Sequence, residues 1–424
     1  MRNTYLQEGE RKGEQSLRSN RTPAALTALL ALLLPTLARG QAQQTPVPEE
    51  PGVAPQIELD GTGIGTLELH SPRITLPSGA RSSSTRINVS DSALLLGASE
   101  RLFRQGVGSF VIGATTTETD ANPSGTGLFL HQLYVDYQTH TLEAYLGRTD
   151  VGTRLVDFPT VRGDDLNEFV NVLDPFSNGN NVEEHRYSNQ ATVVLNRGLR
   201  SFVNLHVQNL ITSTADTVGQ GGINSYGISY QYQELEAQQA QKKVPLWGVG
   251  YERQTIGSGF GGANNVFYGG LIYNIAPDPT DRVDLRLQDI YSFGNHTGAF
   301  GSVTDTFRAP SNSIAASLRW LHSPFGTPGY QLSLTAGYKT YSHISDADTF
   351  ALALTGVKRL GSGFDFVVQY TYQHRQPAYA AVFSGVKDEH SIQAGFVFNF
   401  NNTFNKHLGP RRSLLNLQHQ YLPD

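Results

Sequence analysis

The sequence predicts an all-β fold, a single transmembrane antiparallel β-barrel of about sixteen strands, and three observations carry that reading. The first is the stretch SIQAGFVFNF at 391–400. Ile392, Ala394, Phe396, Phe398 and Phe400 fall on one face of a strand, and Ser391, Gln393, Gly395, Val397 and Asn399 fall on the other. Two-residue periodicity ending in aromatics suits a strand with lipid outside and water inside, although a strand closing a soluble sandwich alternates similarly. The second is that no run of roughly eighteen apolar residues follows the N-terminal region, so membrane residence requires a closed barrel, whose strand edges are all paired. The third is that connection lengths segregate by side: most short connections fall at one end of the strands and the long ones at the other. A soluble sandwich has no reason to sort its loops this way.

Taken in order, residues 1–42 read as an export signal. Arg11, Lys12, Arg18 and Arg21 form a basic lead, residues 24–34 an apolar core too short to span a bilayer comfortably, and Gly40-Gln41-Ala42 a small-x-small cleavage site. Its removal leaves 26 basic and 34 acidic residues, a net charge of −8 that does not favour nucleic acid. Residues 43–56 (from QQTPVPEEPGVAP) are a Pro-rich solvated linker. The barrel is expected over 57–400, and 401–424 form a periplasmic tail in which fraying is the default. The chain has no cysteine, which excludes disulfide staples, thiolate metal sites and cysteine nucleophiles. Its 43 glycines, 19 tyrosines and 21 phenylalanines supply turns and aromatics, at a mean hydropathy near that of a soluble protein. Barrels combine these properties because half of each strand is wet.

Strands are expected at 57–69, 92–103, 107–118, 127–138, 141–148, 187–197, 200–211 and 224–235. They continue at 245–255, 266–276, 282–293, 313–321, 330–341, 349–360, 364–376 and 390–400. An even count returns both ends to the same side. The short connections include Gly361-Ser362-Gly363, the Pro- and Asp-rich 277–281, Arg197-Gly198-Leu199 and Thr139-His140. The long ones are 119–126, 212–223, 256–265, 294–312 and 377–388, while 236–244 is longer than its side should carry.

One connection exceeds all others, 149–186, and a loop of that length in a compact barrel is a candidate for function. Asp165-Leu166-Asn167-Glu168 fits a capping box, and Leu166, Phe169, Val170 and Leu173 then recur at helical spacing until Asp174-Pro175. A short helix with one apolar face needs a wall, and the nearest is the barrel interior. The loop holds eight acids (Asp150, Asp157, Asp164, Asp165, Glu168, Asp174, Glu183 and Glu184) against Arg154, Arg162 and Arg186, a net charge of −5.

The segment Gln393–Phe400 resembles the terminal recognition signal of bacterial outer-membrane barrels, although this chain continues past the final aromatic. With sixteen strands, Gly147-Arg148 ending the fifth, and a long inward loop between the fifth and sixth, the chain resembles the general porins of Gram-negative outer membranes. The resemblance implies a diffusion channel in the outer membrane, constricted by that loop and commonly trimeric, with lipid, ions and small hydrophilic solutes as its partners. The Pro-Glu-Phe-Gly-Gly-Asp segment of enterobacterial porin loops is absent, so the resemblance does not name a solute.

Strand parity turns Arg282, Arg286, Arg319, Lys339, Arg359 and Arg375 toward the lumen, with Arg286 nearest mid-height. The expected constriction therefore joins Asp157, Asp164, Asp165, Glu168 and Asp174 of the loop to Arg286, Arg319 and Lys339 of the wall, and such clusters set ion selectivity. Lumen charges can also be merely solvated or paired. Two other readings stand beside the channel: a barrel plugged by its loop that acts as a surface adhesin or anchor, and a hydrolase on the barrel rim. The twelve histidines show no metalloprotease spacing, no Gly-x-Ser-x-Gly elbow appears, and Asp164-Asp165 read better as cap and pore charge than as an acid/base pair. The glycine-rich pieces at 61–65 and 257–262 lack the Lys-Ser/Thr of a phosphate loop. No enzyme activity, cofactor or metal is expected.

Overall fold

In a computed structural model the described residues are the strands and their flanks between 55 and 405. Residues 1–54, 159–186, 210–222, 233–244, 256–262, 295–310 and 406–424, with shorter stretches at other turns, lie outside them. The expected export signal, loop helix and nearly all of the tail therefore fall outside the described residues.

The strands are β1 (Gln56–Ile74), β2 (Ser84–Asn88), β3 (Ala93–Leu102), β4 (Gly106–Thr119), β5 (Asn122–Gln138), β6 (Leu142–Asp150), β7 (Tyr187–Leu195) and β8 (Ser201–Asn209). They continue as β9 (Ser225–Tyr232), β10 (Leu246–Thr255), β11 (Ala263–Ala276), β12 (Asp281–Gly294), β13 (Ser311–His322), β14 (Tyr330–Tyr341), β15 (Thr349–Gly361), β16 (Phe364–Arg375) and β17 (Val386–Phe404). From β3 onward each pairs antiparallel with the next, and β1 closes on β17, so the sheet has no free edge. Both β2 and β3 pair with β1, at Leu67↔Ile87 and Leu59↔Leu96, and together fill one strand position. The result is a closed sixteen-stranded barrel. At the break between them side chains carry the ladder: Ile64 N–H donates to Ser92 Oγ (2.8 Å), and Ser92 N–H donates to Thr116 Oγ1 (3.1 Å). Backbone groups that lose a rung still need partners.

Three boundaries differ from the expected ones. The last strand runs past Phe400 to Phe404, pairing Asn401–Phe404 with Asp60–Ile57, so the final aromatic of the terminal signal does not end the wall. The connection expected at 119–126 is mostly strand, because the Thr-rich end of β4 continues the ladder to Thr119 and β5 begins at Asn122. The loop expected over 377–388 contains helix α1 (Pro377–Val382). Pro377 pre-sets the first helical φ and three alanines follow it within the helix. Ala378 N–H donates to Asp346 O (2.8 Å), and Tyr379 is buried against Tyr341 and Ala347, so the two loops at this end are locked together.

Side chains alternate as the fold requires. On β14 the outward series reads Tyr330, Leu332, Leu334, Ala336, Tyr338, with aromatics at both ends and aliphatics between. At about 3.3 Å per residue and a tilt of about 40°, these ends stand about 20 Å apart in height, the order of a bilayer's apolar band. Trp247 with Tyr230, Trp320 with Tyr330, and Phe364 with Phe396 continue the belt at the short-turn end. Tyr251 with Phe267, and Phe267 with Phe293, belong to the opposite belt. The barrel thus presents both aromatic belts of an outer-membrane protein.

The inward face is polar and withdrawn from solvent: Glu68 and Gln331 have 0% exposure, Gln369 1% and Gln393 2%. Near the short-turn end Ile64, Leu321, Val357, Val367 and Val397 add an apolar inward cluster.

Candidate channel lining and inward loop

The long connection leaves β6 at Asp150, and its first described residues, Leu155, Val156 and Phe158, lie on the inner wall. Val156 and Phe158 are buried with Val266, Tyr268, Ile290 and Ala315, inward residues of β11, β12 and β13. Val156 N–H donates to Gln288 Oε1 at 3.0 Å, a buried bond that ties the loop backbone to β12. Two glycines make room for it. A Cβ built on Gly270 would lie 2.7 Å from Val156 Cγ2, and one on Gly248 would lie 3.2 Å from Leu155 Cδ1. A long side chain at position 270 would fill the seat of the loop.

Two and four residues before Gln288 on the same face are Arg286 and Asp284. Asp284 opposes Arg319 in the ladder and accepts from its Nε at 2.9 Å and its Nη2 at 2.5 Å. Arg286 Nε donates to the other carboxylate oxygen at 3.1 Å, and Arg282 Nε approaches at 3.7 Å. One carboxylate thus gathers three guanidiniums beneath the loop seat. Such bonds to charged groups are the stronger kind, and burial makes them costly to break. Farther round, Arg375 Nη2 pairs with Glu389 (2.7 Å) and Arg359 Nε with Asp365 (3.5 Å). On β1, β5 and β10 the buried inward charges are instead Glu58, Asp60, Glu68, Asp136 and Glu252. Glu252 accepts from Gln208 Nε2 at 2.7 Å and from Ser225 Oγ, with His206 Nε2 at 3.5 Å. The lining therefore has a basic sector, β12–β16, and an acidic one.

Outside the wall, in the turn from β11 to β12, Asp278 accepts from the backbone N–H and hydroxyl of Thr280 (2.7 and 2.8 Å) and from Asp281 N–H (3.2 Å). The backbone bond from Thr280, then the other two, hold its carboxyl below the usual carboxylate range.

Of the expected constriction residues, Arg286, Arg319 and Lys339 all line the interior. Arg286 and Arg319 meet through Asp284, whereas Lys339 sits apart, between Ser313 and Thr349 in the ladder, with Nζ 5.4 Å from the Tyr341 ring. Asp157, Asp164, Asp165, Glu168 and Asp174 lie outside the described residues, Asp157 between the docked Val156 and Phe158. Sequence reasoning missed Asp284, although Arg282-x-Asp284-x-Arg286 places all three on one face by strand parity.

Solved structures match this architecture. An anion-selective porin from Comamonas acidovorans superposes with a TM-score of 0.55 at 15% identity, covering 81% of this chain and 99% of the porin. The chain has the sixteen-stranded outer-membrane porin fold. OprB of Pseudomonas putida, in a high-pH structure, shares this porin fold at TM-score 0.53 and 10% identity, covering 82% of this chain and 94% of OprB. The outer membrane channel DcaP of Acinetobacter baumannii gives 0.51 at 10% identity, covering 83% and 99%. No protein-family model matches the sequence, and no curated protein sequence matches it.

Proposed function

We propose that this protein is a passive outer-membrane channel for ions and small hydrophilic solutes, narrowed by the 149–186 connection. The observation that carries the reading is the seating of Val156 and Phe158 on β11–β13, with Val156 N–H on Gln288, which starts the long loop inside the barrel. The loop's net charge of −5 would then face the arginines held by Asp284, giving a transverse field that orders water and sorts ions. Asp157, Asp164, Asp165, Glu168 and Asp174 would form the acidic side, and Arg286 and Arg319, with Lys339 nearer the outer mouth, the basic side. The chain would reach the outer membrane behind a cleaved N-terminal signal and assemble there as a homotrimer.

Single-channel conductance in a planar bilayer, with a salt gradient to read the reversal potential, tests this. Steady ohmic steps with a cation preference are expected, and the Asp164→Asn/Asp165→Asn/Glu168→Gln variant should fold but shift the reversal potential toward anions. Unchanged selectivity would remove those acids from the mechanism. A second reading, a plugged barrel serving as surface adhesin or anchor, is favoured by one observation: the inward polar side chains are withdrawn from solvent. Silence from folded protein in the bilayer would select it.

A further inference from the structure

On the outer face of β12–β15, at the end carrying the short turns, Asp281, His322, Tyr330 and Lys358 are successive register partners across four neighbouring strands. The row is held together from within. His322 Nδ1 lies 2.6 Å from Asp281 Oδ1, and Trp320 Nε1–H donates to the same oxygen at 3.3 Å. The His322 and Tyr330 rings stand 4.6 Å apart, Trp320 meets Tyr330 edge-on at 5.1 Å, and Lys358 Nζ lies 5.5 Å from the Tyr330 ring. The carboxylate side chain remains 47% exposed, and Lys358 is exposed at the other end. One row toward the bilayer come Val283, Trp320, Leu332 and Gly356, and beyond them Leu318 and Leu354, at 47% and 52% exposure. The face is therefore layered: opposite charges at the rim, an amphipathic row with a side-chain gap at Gly356, then aliphatics.

We propose that this face binds an aminophospholipid of the periplasmic leaflet, phosphatidylethanolamine, with its phosphate on Lys358, its ammonium on Asp281 and its glycerol and upper chains along Trp320 and Gly356. A belt tryptophan or an extended lysine alone would need no such reading, since both occur wherever a side chain has an apolar body and a polar end. What distinguishes this row is a carboxylate, oriented by an imidazole and an indole N–H, facing an ammonium of opposite sign across the same aromatic platform. The backbones of the end residues are three strand spacings, about 14 Å, apart, and Lys358 leans over Tyr330 to narrow that span. A zwitterionic headgroup complements both ends. A headgroup with only a phosphate would meet the Asp281 carboxylate unanswered, and a choline has no N–H to donate to it. The proposal rests on the barrel lying in a membrane and not on whether its lumen conducts.

The chain's two tryptophans make the site measurable, because Trp320 is in it and Trp247 stands in the same belt with Tyr230 and Tyr232. In Trp247→Phe protein, reconstituted in phosphatidylcholine bilayers containing a minority of phosphatidylethanolamine brominated on its acyl chains, Trp320 fluorescence reports the local lipid. Quenching should exceed random mixing by about threefold, the enrichment that two exposed ion pairs of ordinary strength supply. It should fall to random mixing in Asp281→Asn/Lys358→Gln and partway in Lys358→Gln alone, while Trp247 in Trp320→Phe protein stays near random mixing. Equal enrichment at both tryptophans, or enrichment surviving the double substitution, would overturn the site. Brominated phosphatidylglycerol or phosphatidylcholine quenching Trp320 as strongly would overturn the headgroup assignment. Heat-modifiable migration on a gel keeps misfolded variants out of the comparison.

Discussion

Asp284 sits where ladder register, burial and charge meet. Its carboxylate is 4% exposed and accepts from Arg319 and Arg286 while Arg282 stands at 3.7 Å. Replacing it with Asn keeps the shape and removes the carboxylate charge that these arginines share. Breaking a buried pair from one side costs about 3–5 kcal/mol, because the remaining charges keep their desolvation penalty. Asp284→Asn should therefore lower the temperature of the heat-modifiability transition and, in bilayers, move the reversal potential toward anions. A shift in stability with no shift in selectivity would make the cluster structural only. Parity of alternation correctly turned Arg282, Arg286 and Arg319 inward, since period two needs only the local sequence. It could not give height. That Arg319 meets Asp284 while Lys339 lies elsewhere is fixed by the β12–β13 register, which a hairpin and its loop determine together.

At the scale of elements, the strands were legible because lipid on one side and polar side chains on the other impose alternation, and because the turns at 139–141 and 362–363 are short. The loop seat was not. Leu155, Val156 and Phe158 show no period, and their slot is made by Gly248 and Gly270 from far along the chain. The apolar stripe of Leu166, Phe169, Val170 and Leu173 offered a periodic signal for wall contact, and it lies outside the described residues. Gly270→Leu tests the seat without touching the loop. It should unseat Val156, raise conductance if the loop narrows the lumen, and leave the folded barrel's gel migration intact; unchanged conductance would mean that the constriction does not depend on this anchor. The β11–β12 turn carries a pH prediction. Because the carboxyl of Asp278 is held below its ordinary range, its contribution to the turn is present above the unfolded value and is lost as pH falls through the lower folded value. Amide exchange at Thr280, compared with a neighbouring strand amide, should accelerate across that acidic window, and Asp278→Asn should abolish the pH dependence.

For the whole molecule, closure is the decisive event, since a barrel in lipid tolerates no open edge. The seam runs from Ile57↔Phe404 up to Ile74↔Val386, and its last four rungs lie beyond the aromatic at which the terminal signal was expected to stop. The sequence ending FNFNNTF keeps alternating, but Asn401, Asn402 and Thr403 lack the apolar contrast that marks the membrane-buried part, and all three are exposed. That stretch belongs to the wall through its backbone pairing. A chain ending at Phe400 should therefore lose the rungs to residues 57–60, while one ending at Asn405 keeps every rung and loses only 406–424. With roughly 0.5–1.5 kcal/mol net for an ordinary hydrogen bond, the shorter chain should be a few kcal/mol less stable. The chain ending at Phe400 is expected to unfold at a lower temperature in the gel-shift assay, and the one ending at Asn405 to match the full chain. Equal transitions for all three would mean that these rungs add nothing to closure. A loss shared by both truncations would transfer the stabilisation to residues 406–424 and give the tail a role beyond the wall.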